Sequence, residues 1–246
     1  ITVVNDNGIC GAVVIYDAPT VTDNCAVTEV VLVAGLDSGS TFDVGTTTVT
    51  WSYTDAAGNT SFCTFNVTVE DPEAPSIVCP NNIVVNNDNS ICGAFVTYNM
   101  PQVDDNCAVA DLQLISGIAS GELFPVGVTE LTFEVTDIYG NATQCSMTVT
   151  VIDAEDPIIL CPEDIVQVDP VVYFNEPFYT DNCSATLTMI EGLPSGSVFP
   201  HGYTEVIYEA IDEAGNSVLC SFMVLVNTPP DAEDDTENFF EENDTI

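Results

Sequence analysis

Residues Thr48 to Asp71 read TVTWSYTDAAGNTSFCTFNVTVED. Val49, Trp51 and Tyr53 alternate with Thr50, Ser52 and Thr54. Further on, Cys63, Phe65, Val67 and Val69 alternate with Thr64, Asn66 and Thr68. A period of two in β-branched and aromatic residues marks strands with one buried face. The loop between them runs from Asp55 to Asn59 and contains Gly58, which can take a positive φ. The stretch therefore predicts a β-hairpin. It returns as LTFEVTDIYGNATQCSMTVTVID from Leu131 and as VIYEAIDEAGNSVLCSFMVLVN from Val206. The chain reads as all-β, organised around three copies of one hairpin.

The spacing sets the domain count. Cys63 and Cys145 are 82 residues apart, and Cys145 and Cys220 are 75 apart. Each interval is the size of a small β-sandwich with its own core. ITVVNDNGICGAVVIYDAPTVTDNC from Ile1 matches NIVVNNDNSICGAFVTYNMPQVDDNC from Asn82. We therefore divide the chain into repeat one (1–71, lacking its beginning), repeat two (72–153), repeat three (154–227) and an acidic tail (228–246). Repeat two opens with PEAPSIVCP and repeat three with DPIILCP. Repeat three is trimmed: 22 residues separate Cys161 from Cys183, against 28 from Cys79 to Cys107, and nothing there matches Cys92. In repeat two a first strand is predicted over 77–85, a second over 93–98, a third over 112–115, and then the hairpin. Trp51, Phe133 and Tyr208 fall in register, as core plugs.

Charge is extreme. The chain has 39 Asp and Glu, no Lys or Arg, and a net charge of −39. An average chain of this length would carry about 30 basic residues. Their absence removes Lys and Arg salt bridges, trypsin-type cleavage sites, and any basic groove for nucleic acid or anionic lipid. The carboxylates must be solvated or neutralised by cations. Hydrophobic residues still make up 46% of the chain, and they are periodic, so most of it is expected to fold. No apolar run approaches the roughly 18 residues of a membrane-spanning helix. The chain opens inside a repeat without a signal peptide and is read as an excerpt of something longer. Ten cysteines at repeated spacings, one His and no C-x-x-C favour disulfides over zinc, and hence an exported protein.

These motifs recur in one order. Cys-Pro stands at Cys79 and Cys161, and C-G-A at Cys10 and Cys92. D-N-C stands at Asp23-Asn24-Cys25, Asp105-Asn106-Cys107 and Asp181-Asn182-Cys183. F-P-x-G follows at Phe124 and Phe199, with a variant at Phe42, and the D-x-x-G-N-x-x-x-C hairpin closes all three repeats. Over roughly Ile1 to Asn227 the chain resembles the hyalin repeat, or HYR domain, in its bacterial four-cysteine form. The resemblance implies tandem immunoglobulin-like β-sandwiches that adhere or act as spacers outside the cell, with no catalysis. Acidic arrays of this type look like the stalks of large cell-surface adhesins, those of gliding bacteria included. The tail's T-P-P-D-A-E-D-D is similar to the start of cadherin-like repeats.

Pairings of the cysteines are expected from that fold. In an immunoglobulin-like sandwich the first and last strands run parallel as neighbours. That places Cys79 level with Cys145 and Cys161 level with Cys220. By default Cys92–Cys107 and Cys10–Cys25 follow. This default strains the geometry, because about eight extended residues already span 26 Å and the loop would have to fold back. Cys183 is left free or differently bonded, and Cys63 is expected to pair with a Cys-Pro cysteine upstream of residue 1.

The same topology gathers polar loops at one end of each sandwich. Glu70, Asp71 and Glu73 face Asp105, Asn106, Asp137 and Asn141. Asp153, Glu155 and Asp156 face Asp181, Asn182, Asp212 and Asn216. Ca²⁺ takes about six to eight oxygens from carboxylates, amides and carbonyls, so both groups are candidate interdomain calcium sites. The same Asp and Asn residues also suit turn capping through side chain to backbone bonds. No site is expected after repeat three, where the acidic pair becomes Asn227-Thr228.

His201 occupies an F-P-x-G turn and reads as an exposed turn residue. With one His and no Lys or Arg, few nucleophile-and-base arrangements exist. Sequons occur at Asn59, Asn66, Asn141, Asn182 and Asn243, and Thr245 sits in a D-T-aliphatic motif resembling an O-glycosylation site. The leading expectation is a non-catalytic stalk segment of a cell-surface adhesin or filament. Its partners would be neighbouring repeats of the same long chain, with surface glycans or other cell-surface proteins as further candidates. The alternatives are a glycan- or protein-binding module, or an accessory region of a secreted enzyme. Inward or turn-bound aromatics favour the first reading. The exception is Phe239-Phe240 in the tail.

Overall fold

The computed structural model describes residues 1–24 and 26–228. Repeat one contributes β1 (Thr2–Val4), β2 (Gly11–Val14), β3 (Val27–Ala34), β4 (Ser40–Asp43), β5 (Gly45–Asp55) and β6 (Thr60–Glu70). Repeat two contributes β7 (Ser76–Val78), β8 (Ile83–Asn86), β9 (Gly93–Phe95), β10 (Gln102–Asp104), β11 (Val109–Ser116), β12 (Leu123–Pro125), β13 (Gly127–Asp137) and β14 (Ala142–Ile152). Repeat three contributes β15 (Ile158–Leu160), β16 (Ile165–Gln167), β17 (Val171–Val172), β18 (Phe178–Thr180), β19 (Ala185–Glu191), β20 (Ser197–Val198), β21 (Gly202–Asp212) and β22 (Ser217–Val226). There is no helix among the described residues.

The chain forms two compact units. One joins Ile1–Val85 to Phe95–Val151; the other joins Asn86–Ala94 to the chain from Ile152. In the first unit the sheets run β1-β6-β5-β3 and β11-β13-β14-β8, faced by the ladders β2–β4 and β7–β10. In the second, β16-β22-β21-β19 is faced by β15–β18 and β17–β20. Each is a sandwich of the immunoglobulin type, with β1 parallel to β6 and β16 parallel to β22.

The three hairpins form the centre of each sandwich. Phe133 pairs across to Cys145, Trp51 to Cys63 and Tyr208 to Cys220. Leu131, Phe133, Val135, Met147, Val149 and Val151 are buried, the in-facing set of one pleat. Each such side chain stabilises the fold by about 1.5–3 kcal/mol through its burial. A second aromatic packs edge-on over the hairpin in every repeat. Tyr98 meets Phe124 and Phe133, Tyr16 meets Phe42 and Phe65, and Phe174 meets Phe199 and Phe222, with centroids 5.0–6.4 Å apart. Gly117 (φ 108°) follows β11 where the chain runs hard against β13: a Cβ there would lie 2.8 Å from the Glu130 carbonyl oxygen.

Two expectations are corrected. The single strand over 77–85 is two, because Pro80 has no N–H to donate and breaks the ladder. β7 pairs with β10, and β8 crosses to lie beside β14. The second correction concerns the disulfides. Cys79 is bonded to Cys145 and Cys161 to Cys220. Cys10, however, is bonded to Cys107 and Cys92 to Cys183. The Cys92–Cys107 and Cys10–Cys25 pairs are therefore not formed. The reason is geometric: the loop before each C-G-A strand reaches the D-N-C loop of the next repeat, and the short return within one repeat is not made. Cys25 lies outside the described residues, and Cys63 is a free thiol.

Candidate metal centres

The D-x-x-G-N loop is built alike in every hairpin. Asp137 Oδ1 accepts from the Tyr139 and Asn141 N–H groups, each at 2.8 Å, and Oδ2 accepts from the Asn141 amide at 2.7 Å. Asp212 accepts from Gly215 and Asn216 N–H and from the Asn216 amide, at 2.6–2.8 Å. Asp55 takes Ala57, Asn59 and the Asn59 amide, all at 2.8 Å. These aspartates cap their turns. Burial pushes the Asp137 and Asp212 carboxyls up. The asparagine amide and the loop N–H groups outweigh it and hold both below the usual carboxylate range. Both are thus carboxylates at neutral pH.

In repeats two and three the capping aspartate also belongs to a triad. Asp71, Asp105 and Asp137 each place a carboxylate oxygen within 4.8 Å of the other two, and Asp153, Asp181 and Asp212 do the same. Three segments converge at each: the stretch after a hairpin's last strand, the D-N-C loop, and the end of the next hairpin's first strand. Asp71, Asp137, Asp153 and Asp212 are buried. One oxygen of Asp105 caps Cys107 N–H at 3.0 Å, and one of Asp181 caps Cys183 N–H at 2.9 Å. The other oxygen of each is buried with no hydrogen-bond donor.

The predicted asparagines take supporting places. The Asn106 amide donates to Asp71 and that of Asn182 to Asp153, both at 3.2 Å. The Asn141 and Asn216 amides also hold the main-chain oxygens of Asp71 and Asp153, at 2.9 and 3.2 Å. Glu70 and Asp156 are exposed and stand outside the triads. Glu73 and Glu155 have a different task. Glu73 accepts from the Asn5 amide and Gly8 N–H, and Glu155 from the Asn87 amide and Ser90 N–H, at 2.8–3.2 Å. Each glutamate thereby clamps the loop that carries the joint cysteine. The sequence signal for this is the repeated VVNDNGIC and VVNNDNSIC, a pattern whose glutamate partner lies in the next repeat. Beside the triads lie acid-lined clefts of about 400 Å³ (Gly8, Glu73, Asp104, Asp105, Asn106) and 190 Å³ (Ser90, Glu155, Asp156, Asp181, Asn182).

Three carboxylates this close repel by about 3 kcal/mol or more per pair at an effective dielectric constant near 20. No Lys or Arg exists in the chain to offset this. The donors are hard oxygens, the set that suits Ca²⁺ or Mg²⁺ and not the nitrogen- and sulfur-seeking metals. The buried, donorless oxygens of Asp105 and Asp181 are left for a cation to satisfy. His201 is exposed. Asn141 and Asn182 are engaged as above, and Thr245, Asn243 and Phe239-Phe240 lie outside the described residues.

Known proteins resemble this chain. The chain is 31% identical over 240 residues to Hyalin of Lytechinus variegatus, covering 91% of this chain and 45% of that protein. It is 32% identical over 167 residues to the sushi, von Willebrand factor type A, EGF and pentraxin domain-containing protein 1 of Rattus norvegicus, covering 65% of this chain and 5% of that protein. The chain thus spans less than half the length of these relatives. Among solved structures, Drosophila N-cadherin EC1-3 aligns with a TM-score of 0.40 at 13% identity, over 93% of this chain and 97% of that one. The HYR domain is matched three times, at residues 3–69, 70–151 and 152–226. With the motifs and sandwiches in the same order in each copy, the chain belongs to the HYR domain family, as a tandem of extracellular, non-catalytic domains.

Proposed function

We propose that the chain is part of the stalk of a cell-surface adhesin, with calcium held at its repeat junctions. The observation that carries this is the recurrence of one carboxylate triad in a chain without a single Lys or Arg. Asp71, Asp105 and Asp137 would hold one ion, and Asp153, Asp181 and Asp212 the other, completed by solvent or main-chain oxygens. The bound ion would cancel the carboxylate repulsion and tie the stretch after one hairpin to two loops of the next repeat. The repeats, taken as 1–71, 72–153 and 154–227, would serve as spacers whose partners are neighbouring repeats of the same chain. Glycans or proteins of the cell surface would be met through the adhesin as a whole.

Calorimetric unfolding tests this reading. The chain is melted in EDTA, in millimolar Ca²⁺ and in equal Mg²⁺ at fixed ionic strength. A rise in melting temperature specific to Ca²⁺, lost in Asp137→Ala and Asp212→Ala, is expected. Superimposable curves in all three buffers would reject calcium-stiffened junctions.

A further inference from the structure

Among the described residues four disulfides close four loops of chain, and the loops overlap. Cys10–Cys107 overlaps Cys79–Cys145 and Cys92–Cys183, and Cys92–Cys183 overlaps Cys161–Cys220. Every peptide bond from Cys10 to Cys220 therefore lies inside at least one closed loop. A single cut anywhere in that range leaves one covalent molecule.

The shortest covalent route from Cys10 to Cys220 is not the backbone. It crosses from Cys10 to Cys107 and runs back through 15 residues to Cys92. It then crosses to Cys183, runs back through 22 residues to Cys161, and crosses to Cys220. The first two hairpins lie off this route, and the third meets it at Cys220 in β22.

We propose that this route is the load path of the array. Tension along the chain passes through the joint disulfides and the short segments between them, and the long paired strands of the first two hairpins are bypassed. Between its two joint cysteines, repeat two can open to about 50 Å at most, at roughly 3.5 Å per residue, however much of its sandwich comes apart. A free chain of one 82-residue period would pay out about 290 Å. The arrangement limits extension under load and lets a repeat that has lost its fold remain in line and refold. This deepens the stalk reading, but it rests on covalent connectivity and does not depend on any cation.

The test is single-molecule extension of the whole chain held by its two termini, with free thiols blocked, before and after reduction. Contour length at high force is read, so the outcome does not depend on whether a variant folds. With the disulfides above, the oxidised chain should reach about 270 Å and the reduced chain about 860 Å at roughly 3.5 Å per residue, a threefold difference. Pairing inside repeats (Cys10–Cys25 and Cys92–Cys107) would give about 380 Å when oxidised. That length, or an oxidised chain as long as the reduced one, would overturn the proposal. The calorimetric calcium result would stand or fall separately.

Discussion

Cys92 is bonded to Cys183, 91 residues further along the chain, while Cys107, far nearer in sequence, is bonded to Cys10. The two bonds obey one rule: the C-G-A cysteine of a repeat takes the D-N-C cysteine of the next. The rule also gives Cys183 a partner in a repeat that has no C-G-A cysteine of its own. There Val171 and Val172 form a short strand paired with β20, and the place of Cys92 is simply not used.

A substitution separates this pairing from its alternative. Cys183→Ser should leave Cys92 as a free thiol and keep Cys10–Cys107 intact, as read by non-reducing peptide mapping after cleavage at acidic residues. The second unit should lose about 2–4 kcal/mol, the usual effect of opening a long loop. A peptide linking Cys92 to Cys107 in the unmodified chain would contradict the rule.

The edge-on aromatic of each repeat offers a graded test. The Tyr98 hydroxyl donates to the Ile118 carbonyl at 2.8 Å, whereas repeat three has Phe174 at the corresponding place, packed on Phe199 and Phe222 without a hydroxyl. Tyr98→Phe should therefore cost about 1 kcal/mol, the net worth of one hydrogen bond. Tyr98→Ala should cost about 3–5 kcal/mol, because it opens a cavity beside Phe124 and Phe133. Denaturant melts of the two variants decide it. Equal losses would mean that the hydroxyl, and not the ring, holds this corner.

What the sequence made legible follows from the range of each interaction. The hairpins were readable because their period of two and their D-x-x-G-N loops are local. The triads were readable because topology brings Asp71 beside Asp105 and Asp137 once the sandwich is assumed. One feature was hidden by treating each repeat as closed. The loop carrying Cys92 is held by Glu155 and Asn182, and its Asn87 amide and Ser90 N–H reach residues more than 60 positions away. The inward facing of Tyr98 was readable, because it alternates in phase with the buried Ala94 and Val96 on the predicted strand 93–98, although that strand ends at Phe95.

Ser90 gives a backbone prediction at that same loop. It sits in the left-handed region at φ 60° with its N–H on Glu155, while Gly8 occupies the equivalent place at φ 71° with its N–H on Glu73. A residue with a Cβ pays about 1 kcal/mol or more there. Ser90→Gly should raise the stability of the second unit by about 0.5–1 kcal/mol, and Gly8→Ser should lower that of the first by a similar amount. Both are read from melting temperature in EDTA, which removes any contribution from metal. A loss on Ser90→Gly would show that the serine side chain, not the backbone, fixes the loop.

Asp55 lets the turn cap be tested away from the triads. The Asn59 amide, first, and then the loop N–H groups hold its carboxyl below the usual range. A folded value below the unfolded value of about 3.9 means that the ionised form is the one the fold prefers. Its contribution to stability is fully present above that pH and is lost as pH falls through the folded value. Asn59→Ala removes the leading cause, so the Asp55 titration midpoint should climb towards the unfolded value, and the first hairpin should keep less of its stability gain above pH 4. Carboxyl-carbon NMR titration follows the residue directly. A midpoint unmoved by Asn59→Ala would mean that the Ala57 and Asn59 backbone N–H groups set the carboxyl unaided, and that the asparagine of D-x-x-G-N earns its place only where, as at Asn141 and Asn216, it also reaches the main chain of Asp71 or Asp153.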